Sequence, residues 1–479
     1  MSRAAAPFVA VPARPFVPRS ARPAGASLRS LRAWLSFPLM LWLALWLSIN
    51  AGPWNFSGFG SGLAASVNAL RASFPLVVLV LALLGLLAGR RRVPRSLVES
   101  GFWLYGLVML LAATGSANWF GQAYWGFAFI AALAVVEAGL RGPDPLGFAR
   151  RLNWLSWITT VAVLVALLFL ARDVLLDARG SAYGAVVRFQ EEHGYTISRS
   201  TGMARMAAVP AIVGLVFLVT RRSWQRAASL ALLAASLAVL WIMQARGSIF
   251  ALAGAMAFVL SFGPKKLQKI LLALAAAAIL CAVLASRPDG FADFWMHVTR
   301  GEGAEGFSTM SGRDVIFENG FARWLEAPLF GYGPQADRLF SEVSNAQNAL
   351  LYALLCSGLV GAAGFVLAML AAWGKLILAN LRHAGLAPRD REMLMIASGI
   401  LVFSTLRSVP ENQAAVFSID LFLQYPAMIY LALLASRRPA GAARLPDRAL
   451  RPATPVAGPR RAGALPHETH SLTSRSCTP

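Results

Sequence analysis

The chain of 479 residues is 57% hydrophobic and only 14% charged, with a mean hydropathy of +0.59. Soluble domains carry roughly twice that charged fraction, so a soluble globular fold is excluded. The net charge of +22 invites a nucleic-acid partner, but the arginines cluster at the ends of apolar runs and in two tails. That pattern is the signature of membrane insertion, and no nucleic acid is expected.

Residues 1–32 are rich in Pro, Arg and Ala and read as a disordered basic tail. Apolar runs then appear near 33–49, 74–89, 101–114, 119–140, 154–171, 202–220, 227–243, 248–262, 269–286, 346–373, 393–406 and 417–435. No small-residue cleavage site follows the first run, which reads as an uncleaved anchor. The pattern predicts an all-α integral membrane domain over 33–436 with about twelve transmembrane helices. Runs three, eight and eleven are the shortest. A second disordered tail fills 437–479, and no internal repeat is visible.

Charge alternation supplies an orientation. If the N-terminal tail is cytoplasmic, the even-numbered connections should be basic. They are: Arg90 to Arg92 with Arg95; Arg141, Arg150 and Arg151; Arg221, Arg222 and Arg226; Lys265, Lys266 and Lys269; Arg382, Arg389 and Arg391. Both termini are then cytoplasmic. The connections at 50–73, 115–118, 172–201, 243–248, 287–345 and 407–416 face outward, and 287–345 is a large periplasmic loop between helices nine and ten. Basic residues at the inner face also suit anionic lipid headgroups.

Cys281 and Cys356 fall in predicted spans and Cys477 in the tail, so neither a disulfide framework nor zinc is expected, and no cofactor is implied. The spans carry almost no acids near the midplane. Ion-coupled transporters place ionisable groups there, so chemistry is expected at the outer face instead.

Arginines on that face run against the positive-inside trend. Arg246 lies in Gln244-Ala245-Arg246-Gly247-Ser248, a tight turn where Gly and Ser allow close approach of an anion. Snorkelling to headgroups is the plainer alternative. In the large loop, Ser311 is an N-cap candidate and Asp314 lies three residues on. A helix from Gly312 to about Glu326 would set Arg313, Phe317, Gly320 and Trp324 on one face. Arg313 then sits in the first turn beside free N–H groups, where phosphate binds well. The plainer readings are a surface ion pair for Arg313 and capping alone for Asp314. Arg199 and Arg205 flank the start of span six and can join a cationic cluster. Gln347-Asn348 opens span ten, and Gly358 and Gly361 lie one turn apart on it, as in close helix packing. Arg407 and Glu411 can pair with each other.

Taken together, these features resemble the O-antigen ligase and polymerase superfamily, the Wzy-type membrane glycosyltransferases. The resemblance rests on the span count with a large loop between spans nine and ten, on Arg246-Gly247 before span eight, and on Ser311-Gly312-Arg313 followed by Trp324, Pro328 and Phe330-Gly331-Tyr332-Gly333. The start of span ten completes it. There the ligases show His, then Asn, Ser or Gln, nine residues, Gly, two residues and Gly, and Gln347-Asn348 to Gly358-Leu359-Val360-Gly361 keeps that spacing. The region that carries it is roughly 195–362.

The resemblance implies glycan transfer from an undecaprenyl-diphosphate-linked oligosaccharide at the outer face of the bacterial inner membrane, with the bilayer and other polysaccharide-assembly proteins as partners. It implies Arg246, Arg313, Gln347 and Asn348 as catalytic positions. Arg199, Arg205, Asp314, Trp324 and Arg407 are expected to bind substrate. The chain departs from the family at Gln347, where the ligases have His. Glutamine is not a general base, although it can hydrogen-bond a sugar or phosphate. This departure favours a polymerase of exopolysaccharide or O-antigen units. A ligase acting on lipid A core or protein, a flippase of lipid-linked sugar and an inactive scaffold are the alternatives.

Overall fold

The computed structural model describes residues 36–58, 62–88, 95–116, 118–170, 200–243, 245–261, 292, 294, 313–343, 345–382 and 385–437. Helices account for almost all of their regular structure, and no strand occurs among them. We label the helices α1 (Phe37–Leu47), α2 (Leu63–Ala88), α3 (Leu97–Ala112), α4 (Trp119–Leu140), α5 (Pro145–Leu170), α6 (Ser200–Thr220), α7 (Trp224–Met243) and α8 (Arg246–Leu260). After them come α9 (Arg313–Glu326), α10 (Ala349–Leu381), α11 (Pro388–Arg407) and α12 (Ile419–Ser436).

Eleven of these helices coincide with predicted apolar runs; α9 is the helix expected in the large loop. The predicted run at 269–286 lies outside the described residues. Among those residues, eight helices are long and apolar enough to cross a membrane. The chain is therefore a polytopic α-helical membrane protein. Two apolar helices are shorter, α1 and α8. α11 has the length, but its first turns carry Arg389, Asp390, Arg391 and Glu392.

Several helices outrun their apolar cores. α5 begins at Pro145, well before the run predicted from 154, because Asp144 caps it by accepting from the N–H of Gly147 at 2.9 Å. α11 begins at Pro388, where a proline at the first helical position costs nothing and Asp390 favours the first turn. α3 opens on a reciprocal capping box between Ser96 and Glu99. Hydropathy finds the part of a helix that sits in hydrocarbon; capping chemistry finds its ends.

The centre of the bundle is α4 and α12. Every residue from Ala128 to Val136 is buried, as is every residue from Ile419 to Ala432. A helix that is apolar all round belongs inside. By contrast α2 exposes Val77, Val80, Leu84 and Leu87, a surface suited to lipid tails. α3 packs on α10 through glycines: a Cβ on Gly101 would stand 2.4 Å from the carbonyl of Gly364.

Buried acids among the described residues sit at helix ends or in the loop, never mid-helix: Glu99, Glu137, Asp337, Asp390 and Asp420. At one end of the bundle Glu137 bonds Arg95 and Arg141, each at 2.8 Å. Arg221 bonds Glu392 there too, at 2.6 Å. Arg205, Arg246, Arg313 and Arg407 belong to the opposite helix ends, where the candidate site lies.

Candidate functional site

α9 forms as expected and lies directly on the start of α10. Gly320 is buried, and a Cβ there would come within 2.9 Å of the Leu351 side chain. Arg323 anchors the helix to the following loop by donating to Glu342 Oε1 at 2.6 Å. Trp324 donates through Nε1 to the carbonyl of Pro328 at 3.2 Å, and Tyr332 donates to the carbonyl of Arg323 at 2.9 Å. Ser311, the expected cap, lies outside the described residues.

The loop then does something hydropathy does not foretell. α10 is broken at Gly358, which has φ 57° and ψ −165°. In an unbroken helix, Leu359 and Val360 would donate to the carbonyls of Leu355 and Cys356. Here Leu359 donates to Pro328 at 2.7 Å and Val360 to Leu329 at 3.2 Å. The freed carbonyls accept from the loop: Tyr332 to Leu355 at 2.8 Å, and Gly333 to Cys356 at 3.0 Å. Two helix bonds are exchanged for four loop–helix bonds, so the backbone groups that the break frees at Leu355, Cys356, Leu359 and Val360 are paired again. The glycines follow from this exchange. A Cβ on Gly358 would stand 2.2 Å from the Leu329 carbonyl carbon, and one on Gly331 would stand 2.5 Å from the Leu355 oxygen. Gly361 does meet α3 at Val108, as a packing glycine should. Gly358 is a hinge point instead, which corrects its reading as half of a packing pair.

Just before α10, Arg313 Nε donates to Gln347 Oε1 in a very short contact. Gln347 holds a left-handed backbone, φ 46°, a costly conformation for a residue with a side chain. Its neighbours fix that conformation. Asn348 caps α10 by accepting from Leu351 N–H at 2.9 Å, and its own N–H donates to Asn412 Oδ1 at 3.1 Å. The Asn348 side chain also donates to the carbonyl of Val409 at 3.0 Å. On the other flank, the N–H of Ala346 donates to the buried Asp337 carboxylate at 3.1 Å. Burial pushes the Asp337 carboxyl above its usual range.

A second network adjoins the first. Arg407, 1% exposed, bonds Asp420 at 3.2 Å and Glu411 at 3.4 Å. Arg205 bonds the other oxygen of Asp420 in a very short contact. Arg407 is close enough to Arg205 and Arg313 to be repelled by both. Arg246 opens α8, and Gly247 beside it packs on Pro410 of the same 408–412 turn that holds Asn348. Arginines therefore converge where α6, α8, α9, α10 and α11 end or begin, with the carboxylates of Asp420 and Glu411 among them. Such a surface can bind a phosphate-type anion and stabilise one as it forms.

The structure thus brings Arg205, Arg313, Gln347, Asn348 and Arg407 into one neighbourhood, with Arg246 beside the same turn. Asp314 is exposed in the first turn of α9, and Trp324 is spent on the loop fold. Arg199 lies outside the described residues. Both polar atoms of the Asn348 side chain are engaged by backbone, and Arg407 is buried behind its carboxylates. Asp420 escaped the sequence reading because it sits inside a predicted apolar run. An acid in such a run is itself a signal. Asn412, which links the two halves of the site, carried no sequence signal.

Residues 230–366 match the family model described as O-antigen ligase. These residues carry an O-antigen ligase domain. It covers under a third of the chain, from α7 to just past the Gly358 break in α10. Arg246, Arg313, Gln347 and Asn348 fall within the O-antigen ligase domain; Arg205, Arg407 and Asp420 fall outside it. No curated protein matches the chain. The domain supports glycan transfer in the assembly of O-antigen or a related surface polysaccharide.

Proposed function

We propose that the chain polymerises exopolysaccharide or O-antigen repeat units, taking glycan from an undecaprenyl-diphosphate-linked donor at the outer face of the inner membrane. The observation that carries this reading is the bonded pair of Arg313 and Gln347, set beside the Arg205–Asp420–Arg407 network at the mouth of α10. An acceptor hydroxyl attacks the anomeric carbon, the bond from that carbon to the lipid diphosphate breaks, and the hydroxyl proton passes to solvent water. Negative charge grows on the leaving diphosphate, so fixed cations lower the barrier more than a strong base does. Arg313 and Arg246 are assigned to the diphosphate. Gln347 orients the Arg313 fork and offers an amide to sugar or phosphate. Asn348, Asn412 and Arg407 hold that geometry.

A ligase, with lipid A core or protein as acceptor, is the second reading, favoured by the description of the matching family. Analysis of surface glycans after gene deletion separates the cases. Single repeats left on the lipid carrier mark a polymerase, polymer stranded on the carrier marks a ligase, and repeats trapped inside the cell mark a flippase. Complementation with Arg246→Ala or Arg313→Ala should fail although the protein accumulates normally; normal polymer with both would overturn the assignment. A Leu339→Cys variant should react with an impermeant thiol reagent on intact cells stripped of their outer membrane. Labelling only after lysis would put the site on the wrong face.

A further inference from the structure

A cleft of about 320 Å³ opens between α5, α6 and α11, at the end of the bundle opposite the arginine-rich site. Its walls are apolar and aromatic: Trp154 and Ile158 from α5, Phe217 from α6 and Ile396 from α11. It is open sideways, since Ile158 is 56% exposed. In a membrane-spanning bundle that side meets lipid tails.

The mouth of the cleft is charged. Arg221 lies with its guanidinium 4.9 Å from the Phe217 ring centre and bonds Glu392 at 2.6 Å. Arg389 is exposed on the rim and has no ion pair among the described residues. Asp390, one residue on, is already taken by Arg150 at 3.7 Å. The lining therefore presents, among the described residues, one cation with no ion pair above an apolar slot.

We propose that this cleft is a binding site for an anionic glycerophospholipid. The lipid phosphate sits at Arg389 and the partly neutralised Arg221, and the first part of an acyl chain lies along Trp154, Ile158 and Phe217. The volume is on the order of ten waters, enough for a headgroup and a short length of chain but not a whole lipid. Basic pockets between helices on the inner leaflet favour anionic headgroups, and charge alternation in the sequence assigns this end of the bundle to that leaflet. The site is independent of glycan transfer.

Native mass spectrometry of the purified full-length protein tests it, with phosphatidylglycerol titrated against phosphatidylcholine. The wild type should retain one phosphatidylglycerol under activation that strips phosphatidylcholine. Arg389→Gln should weaken that first adduct about five-fold, the worth of one arginine near a lipid surface. Arg222→Gln, on an exposed neighbour outside the cleft, should leave it unchanged. Ile158→Trp should block the slot with every charge intact. Equal retention of the two lipids, or equal effects of Arg389→Gln and Arg222→Gln, would overturn the site.

Discussion

Arg313 and Gln347, thirty-four residues apart in sequence, are bonded side chain to side chain where α9 meets the start of α10. The neutral amide leaves the arginine charge available, while its carbonyl aims the guanidinium. Gln347→Glu should therefore damage transfer more than Gln347→Ala, because a carboxylate would neutralise the cation it is meant to aim. We expect a loss of about 10²-fold or more for Gln347→Glu, comparable to removing one donor to a developing anion. Turnover of lipid-linked glycan by the reconstituted protein is the measurement. Equal activity in the two variants would refute the orienting role.

Asp420 neutralises Arg407, which is 1% exposed, and shares its other oxygen with Arg205. Removing a partner from a buried pair leaves a charge stranded. Asp420→Asn should cost about 3–5 kcal/mol. A thermal shift in detergent would register this before any assay of activity, and Asp420→Glu should recover part of it.

Gly358 admits no side chain. Gly358→Ala combines a backbone conformation essentially confined to glycine, about 1–3 kcal/mol, with a Cβ driven into the Leu329 carbonyl. Gly331→Ala attacks the same junction from the loop side. Their effects should not add, because either one undoes the same backbone exchange. A double mutant as unstable as the sum of the two singles would argue against a shared junction.

Asp337 gives the site a pH dependence of known sign. Burial raises its folded-state pKa above the ordinary aspartate value. The folded protein thus binds this proton more tightly than the unfolded chain. The contribution to stability is complete below the ordinary aspartate pKa and is lost as pH rises through the elevated value. Asp337→Asn should flatten that decline while keeping an acceptor for Ala346. Melting temperatures across acidic to neutral pH will show whether the slope disappears.

The bundle was legible because hydrocarbon-length apolar runs are strong, local signals. α9 was legible from the cap candidate Ser311 with Asp314 three residues on, and Gly320 on the face that such a helix would share with Arg313, Phe317 and Trp324 meets Leu351. The break at Gly358 was not. A glycine pair on a membrane helix reads as packing, and only the approach of Pro328–Gly333 shows that one member is a hinge. Arg407 looked like a surface arginine paired with Glu411. That pair exists, but the dominant partner is Asp420, hidden in an apolar run. Long-range partners of this kind leave no trace in local sequence pattern.

The stitched break in α10 also dictates an order of events during synthesis. Residues 328–333 leave the ribosome before 355–360, yet each half supplies the hydrogen bonds that the other lacks. α10 can enter lipid as an unbroken cylinder, with Leu359 and Val360 bonded to Leu355 and Cys356, and those bonds are given up only when residues 328–333 arrive to replace them. Docking of the loop is thus what breaks the helix, after insertion and not during it.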